Sequence, residues 1–318
     1  MTSTASTSYW PRVLRVSVSV LLLGVVFSHV DVGEAGGELV RAPWWVFFVP
    51  SACLLLNSWI QAWRVRWLLA AFSIEASVGL IFRVFLMGSF WGLVLPMGGA
   101  EATRLLLLHR RTQNLDACAA TLFVARLLET LPWGALLIWG LASGWLAPLP
   151  FLVGAAWMGL ALFAGAWVCA IGFSMAPRSA RERLPGWLER PVTRAVDALA
   201  QFRGSGRLLV ICALLGVPFT LVNAVVVWAV FVAFGVPLGY DAVLGVVPAA
   251  DVLISLPISM GGVGVRESVF VLALTPFGVT KTVALAVIFT RWTGELGRAL
   301  FGGLSVAFGP ALKQHEQA

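Results

Sequence analysis

The chain has 318 residues, 59% hydrophobic and only 12% charged, with a mean hydropathy of +0.91. That charged share is about half the usual share of a soluble domain, and apolar runs of span length recur throughout, which excludes a soluble protein with a single anchor. The net charge of +7 would suit nucleic acid in a soluble chain, but here most arginines lie between apolar runs, where a cytoplasmic bias of Lys and Arg is ordinary, so no nucleic acid is implied.

Long apolar segments run over about 12–30, 43–63, 77–95, 115–141, 149–173, 208–234, 242–258 and 282–310. The first follows Arg12 and resembles a signal peptide, but no small-residue cleavage site follows it, so it reads as a retained span. With the N-terminus in the cytoplasm, the loop 31–42 is outside and carries Asp31, Glu34 and Glu38 against Arg41. Segment 43–63 returns, which puts Arg64 and Arg66 inside. A full crossing by 77–95 would then expose Arg104, Arg110 and Arg111 outside, against the positive-inside rule.

A re-entrant hairpin removes the conflict. Segment 77–95 enters, turns at Pro96-Met97-Gly98-Gly99, and returns through about 100–108. Segments 115–141 and 149–173 cross. The loop 174–207 has seven arginines and is cytoplasmic; within it, 186–203 reads as an amphipathic surface helix or as a solvated basic loop. Segment 208–234 crosses outward. Segment 242–258 enters from outside, turns at Pro257 to Gly261-Gly262, and returns through about 263–274; 282–310 then crosses inward.

The expected fold is all-α: six full spans and two oppositely oriented re-entrant hairpins in an inverted repeat, within a single membrane domain over 1–318. The first repeat is 12–141, the second 149–310, and 174–207 is the connector. Both termini are cytoplasmic. Eight plain spans are the competing reading. Inverted repeats whose broken helices meet at the midplane recur among secondary transporters.

The two turns read like copies. Leu95-Pro96-Met97-Gly98-Gly99 precedes Arg104, then Arg126 and Glu129; Leu256-Pro257-Ile258-Ser259-Met260-Gly261-Gly262 precedes Arg266-Glu267, then Arg291 and Glu295. The offsets are 161 positions for Pro96 to Pro257 and 165 for Arg126 to Arg291. Proline and paired glycine stop a helix and let backbone approach closely. The returning half-helices aim free N–H groups at the midplane, so with Arg104 and Arg266 each tip becomes an anion site.

A central Arg or Asp costs roughly 2.5–3.5 kcal/mol on insertion scales. Arg83, Arg126, Arg266, Arg291, Arg298, Glu129, Asp251, Glu267 and Glu295 therefore face one another or a wet cavity. The i,i+3 spacing of Arg126 and Glu129, and the i,i+4 spacing of Arg291 and Glu295, put each pair on one helix face. Such a pair either locks the bundle or leaves guanidinium donors for a phosphate.

Other chemistry has no candidate. No phosphate-binding GxxxxGK[ST] loop, HExxH or GxSxG occurs, and Gly262-Val263-Gly264 does not continue into a dinucleotide fingerprint. The four cysteines are isolated and apolar in context, and the three histidines have no ligand spacing. No cofactor, metal or catalytic residue is implied.

Both motifs, above all Leu256 to Glu267, resemble the flippase-like membrane domain of lysylphosphatidylglycerol synthases, and the resemblance covers nearly the whole chain. It implies translocation of a lipid between leaflets, with Arg104, Arg126, Arg266, Glu267 and Arg291 as lipid-handling residues. Two departures stand out. Gly98-Gly99-Ala100-Glu101 replaces the Gly-Gly-Asp frequent in relatives, and Arg126…Glu129 replaces an adjacent Glu-Arg. The soluble synthase domain is missing from these residues, so lysyl transfer is not inherited.

The leading expectation is a lipid flippase of the bacterial inner membrane, moving an anionic phospholipid between leaflets. Its substrate residues are Arg104, Arg126, Glu129, Arg266, Glu267, Arg291 and Glu295, and its hairpin turns Pro96, Gly98, Gly99, Pro257, Gly261 and Gly262. The alternatives are an integral lipid-modifying enzyme with Glu267 or Asp251 as base, and a non-catalytic membrane partner of a lipid synthase.

Overall fold

The computed structural model describes residues 32–94, 99–175, 193, 197, 199–256 and 263–308. Among them every regular element is helical. In chain order these are α1 (Val32–Arg41), α2 (Trp45–Ala70), α3 (Val78–Val94), α4 (Gly99–Thr112), α5 (Leu115–Ala142), α6 (Pro150–Met175), α7 (Gly206–Leu214), α8 (Gly216–Ala233), α9 (Tyr240–Ile254), α10 (Val265–Leu274) and α11 (Lys281–Phe308). The expected span 12–30, the turn residues Pro96, Gly98, Pro257, Gly261 and Gly262, and most of the connector lie outside the described residues. Gly99 opens α4.

Among the described residues four stretches are long and apolar enough to cross a membrane: α2, α5, Pro150–Gly172 of α6, and Gly206–Ala233 across α7 and α8. α11 is equally long at 28 residues, but Arg291, Glu295 and Arg298 interrupt its apolar character. The outer faces carry the apolar surface a bilayer requires, with Trp157 62%, Val168 70% and Leu300 68% exposed.

Three boundaries differ from the sequence reading, each for a local reason. The acidic loop around Glu34 and Glu38 forms a helix, α1, with Glu34 in its first turn and Arg41 in its last, both favourable to the helix dipole. α2 runs to Ala70 rather than 63, because no breaker intervenes before Ser73, which adopts φ +56°. Arg64 is therefore not in a loop but inside the bundle, 2% exposed. The predicted span 208–234 divides at Leu215, where Pro218 has no N–H to offer the preceding turn.

α3 and α4 form an antiparallel hairpin. A Cβ on Gly92 would lie 2.9 Å from the Ala100 Cβ, and one on Gly88 would lie 2.6 Å from the Arg104 Cγ, so the partner number rises as the other falls. At 17 and 14 residues they reach about 25 and 21 Å at 1.5 Å per residue. α9 and α10, with 15 and 10 residues, also pack together. Each of the four falls short of the roughly 20 residues a span needs.

Among the described residues most buried apolar side chains fall into two clusters. One gathers Val65, Leu68, Leu69 and Ile81 with Leu108, Cys118 and Phe202. The other gathers Val46, Leu137, Leu149, Phe231, Ala242, Leu274 and Leu285. α3 begins in the first cluster, at Val78, and α9 in the second, at Ala242. α2 and α5 run from one cluster to the other.

Two of the crossings that join early and late helices put glycine against backbone. α5 meets α9 where a Cβ on Gly140 would lie 2.8 Å from the Gly245 Cα. α11 meets α3 where Gly302 faces the Leu86 carbonyl and the Phe90 side chain. Both approaches are too close for any residue but glycine. At the connector's end, Phe202 is buried edge-on against Phe72, centroids 5.3 Å apart, with Leu199 packed on the same cluster. These two apolar residues of the expected surface helix therefore face protein.

Candidate functional site

The middle of the bundle contains two adjoining cavities of about 240 and 500 Å³. Arg126, Glu129 and Trp133 of α5, Asp251 of α9, and Arg291 and Glu295 of α11 line both. Asn57, Gln61 and Arg64 of α2, with Thr220 and Asn223 of α8, complete the smaller one. Arg266 of α10, Thr130 of α5, Phe163 of α6 and Ser255 complete the larger. Helices from both ends of the sequence thus share one polar space.

Glu129 is the hub on the first side. It accepts from Arg126 Nη1 at 2.7 Å, from Arg64 Nη1 at 3.4 Å and from Gln61 Nε2. Arg64 also donates to the Ala125 carbonyl at 3.2 Å, which fixes α2 against α5. Arg126 reaches Glu101 of α4 at 3.6 Å, and Glu101 accepts from Arg104 at 2.7 Å. The Arg104 guanidinium lies 4.7 Å from the Phe85 ring centre on α3, where cation–π attraction offsets part of its desolvation.

The other side is built between elements. Arg291 donates to Asp251 at 3.2 Å and lies 5.0 Å from the Phe270 ring centre. Arg266 pairs with Glu295 at 3.1 Å and lies 4.7 Å from the Trp292 ring centre. The i,i+4 pair expected of Arg291 and Glu295 is therefore replaced by two bonds to the hairpin helices, since both partners have a nearer carboxylate or guanidinium across the interface.

Glu267 has a different place. It is 1% exposed; one oxygen accepts the Gly264 N–H at 2.6 Å and the other the Trp292 Nε1–H at 2.8 Å. It satisfies an orphan donor at the start of α10, where Gly264 adopts φ +83°. Neither Glu267 nor Arg104 lines the central cavities, whereas Arg126, Glu129, Arg266, Arg291 and Glu295 do.

Charge and donor counts describe what the space can hold. Around the cavities Arg64, Arg126, Arg266 and Arg291 face Glu129, Asp251 and Glu295; Arg298 lies within electrostatic range of Glu295, Arg104 and Arg126. Four cations against three anions leave one net positive charge on the cavity lining. Arg64 Nε, Arg104 Nε, Arg291 Nη1 and Arg298 Nε are buried with no hydrogen-bond partner. Arg126 is the open one, with 67% of its side-chain surface accessible. An anion with several acceptor oxygens would answer both the charge and the unused donors. No group of three or more His, Cys, Asp or Glu placed to hold a metal occurs among the described residues.

The sequence reading missed Asn57, Gln61 and Arg64. Their spacing of four and three puts them on one face of α2, a polar stripe inside an apolar run, and that was a legible signal.

This arrangement of short paired helices around a charged central cavity, with long apolar helices beside it, is that of an α-helical membrane protein. Residues 12–291 match the family model described as lysylphosphatidylglycerol synthase TM region, and the chain belongs to that family. It is also 22% identical over 305 residues to a UPF0104 membrane protein of Methanothermobacter thermautotrophicus, covering 86% of this chain and 88% of that one. No solved structure matches.

Proposed function

We propose that the protein is a lipid flippase of the bacterial inner membrane, moving an anionic phospholipid between leaflets. The headgroup occupies the central cavity, held by Arg126, Arg266 and Arg291, while the acyl chains remain in the bilayer. The observation that carries this reading is the shared cavity, where Arg64, Arg126, Arg266 and Arg291 meet Glu129, Asp251 and Glu295, and where Arg64 Nε and Arg291 Nη1 lack partners. One phosphodiester neutralises the surplus charge and accepts from the free donors. Membership of a family named for lipid synthesis supports a lipid as the ligand.

The transport route is an inverted repeat of 12–141 and 149–310 with two re-entrant hairpins, α3/α4 and α9/α10, entering from opposite faces. Three observations support it. The helices are too short to span; α3 and α9 begin in different apolar clusters; and the Gly140–Gly245 and Gly302–Leu86 crossings each pair the last span of one half with the first hairpin helix of the other. Rocking of one half against the other exposes the cavity to each leaflet in turn. The arginine-rich connector 174–207 and both termini face the cytoplasm by the positive-inside rule.

An enzyme reading has less to stand on. A general base needs a free carboxylate near the reacting group. Glu267 is enclosed with both oxygens engaged, and Asp251 is held by Arg291.

The test is reconstitution into vesicles carrying a trace of fluorescent phosphatidylglycerol, with dithionite quenching of the outer leaflet. Wild type is expected to move the probe, and Arg126→Gln/Arg291→Gln to abolish the gain while still eluting as a folded species. Equal slow movement by wild type and the variant would sink the proposal.

A further inference from the structure

A second basic cavity lies at one end of the bundle, away from the central network. Two spaces of about 460 and 250 Å³ share the wall Glu75-Ala76-Ser77 between α2 and α3. Arg66 lines the first; Arg110 and Arg111, at the end of α4, line the second. Three guanidiniums face one carboxylate there, and none of the three has an ion-pair partner among the described residues. The Arg111 Nε is buried without a hydrogen-bond partner. This contrasts with the centre, where each lining arginine already has a carboxylate.

The walls are amphiphilic. Ala70, Ile74 and Leu80 provide apolar surface beside the arginines. One turn before Ala70, Arg66 lies 5.3 Å from the Trp63 ring centre, and Trp63 packs on Trp67 at 5.9 Å. Paired tryptophans beside arginine mark the headgroup level of a bilayer, where an aromatic ring is half solvated. A free phosphate would use the arginines and leave the apolar wall wet; a lipid uses both.

We propose that this end cavity is a binding site for the phosphate of an anionic lipid in the adjacent leaflet, distinct from the transport cavity. Arg110 and Arg111 grip the phosphate oxygens, Arg66 closes from α2, and the first acyl carbons lie on Ile74 and Leu80. The bound lipid ties the α2–α3 turn to the α4–α5 turn, so it holds the base of the first hairpin. The site stands on its own lining residues and does not depend on the central cavity being a transport path.

The test is native mass spectrometry of the purified chain, taken from nanodiscs of phosphatidylcholine with phosphatidylglycerol. Wild type is expected to retain phosphatidylglycerol, and Arg126→Gln/Arg291→Gln to keep this end-bound copy. Arg110→Gln/Arg111→Gln should lower its occupancy about thirtyfold, as expected for removing two basic residues at an anionic surface. On unmutated protein, a photoactivatable phosphatidylglycerol should label peptides containing Ile74 or Leu80. Retention unchanged in Arg110→Gln/Arg111→Gln, or labelling confined to other peptides, overturns the site. If inorganic phosphate at millimolar concentration displaces the lipid and binds equally well to protein in pure phosphatidylcholine, the ligand is free phosphate and the lipid assignment is wrong. If the end copy survives while Arg126→Gln/Arg291→Gln loses transport, the two sites are separate, as stated; if the copy disappears with that variant, they are one.

Discussion

Arg291 on α11 donates to Asp251 on α9 across 3.2 Å, although Glu295 lies one turn away on its own helix. Glu295 is taken instead by Arg266 of α10 at 3.1 Å. Both bonds therefore run from α11 to the short helices α9 and α10 rather than along one helix. The equivalent work on the first side is done by Arg126, which holds Glu129 on its own helix and Glu101 on α4. In each case a short helix is tethered to a long one by charge at the cavity wall, where a headgroup competing for the guanidinium would loosen the tether.

That pairing sets the first expectation. Asp251 and Arg291 are each about one-fifth exposed, so solvent from the cavity weakens their attraction. Asp251→Asn and Arg291→Gln should each lower thermal stability in detergent, and the double variant should recover a coupling of about 1–2 kcal/mol. A double-mutant cycle measured by scanning fluorimetry and chemical denaturation gives the value. Full additivity would mean that Arg291 and Asp251 do not pair in the folded protein.

Helix crossings set the second. Gly140→Ala places a methyl 2.8 Å from the Gly245 Cα, and backbone cannot move aside as a side chain can. A loss of about 1–3 kcal/mol follows from overpacking. Gly154→Ala on α6 meets nothing within 4 Å, and should be neutral or gain up to about 1 kcal/mol from helix propensity. Midpoints of thermal unfolding for the two variants should move in opposite directions or differ by the larger cost.

Much of this was legible in the sequence, for physical reasons that differ by element. Long apolar runs located α5 and α6 within a few residues, because a bilayer demands both length and hydropathy. The charges Arg126, Glu129, Arg266, Arg291 and Glu295 stood out because nothing apolar excuses them, and all five line the cavity. Their partners did not stand out. Spacing along one helix pairs Arg291 with Glu295, and only the packing of α9 and α10 reveals Asp251 and Arg266 as the alternatives. Arg64 was assigned to a loop because hydropathy falls there, whereas backbone hydrogen bonding carries α2 on to Ala70. Glu267 beside Arg266 read as a ligand contact; the positive φ of Gly264, which creates the orphan N–H it satisfies, is invisible without coordinates.

Glu267 supplies the third expectation. Its oxygens accept from the Gly264 N–H and the Trp292 Nε1–H in a nearly solvent-free setting. Glu267→Ala strands both donors and should cost about 2–6 kcal/mol, at about 1–3 kcal/mol for each buried unsatisfied group. Glu267→Gln keeps one acceptor oxygen and should cost roughly half as much. A graded loss of stability, with lipid binding by the surviving folded fraction unchanged, identifies the residue as a cap. A Glu267→Gln variant as stable as wild type but unable to bind lipid would assign it to the ligand instead.

Glu129 gives the sharpest separation between binding and movement. Its carboxylate accepts from Gln61, Arg64 and Arg126 at once, so it holds guanidiniums that would otherwise turn to the headgroup. Glu129→Gln raises the net charge of the cavity lining from +1 to +2 and leaves Arg126, an open arginine of that lining, only its longer contact with Glu101. A charge pair near 4 Å in watery surroundings is worth about 1 kcal/mol, so the variant should hold phosphatidylglycerol about fivefold more tightly. A lipid held more tightly leaves more slowly, because related complexes differ mainly in their off-rates. Native mass spectrometry should therefore show higher lipid occupancy in Glu129→Gln, while the vesicle assay shows slower movement between leaflets. Occupancy and rate falling together would place Glu129 among the groups that hold the bundle, and rates unchanged beside raised occupancy would mean that release from this cavity does not limit transport.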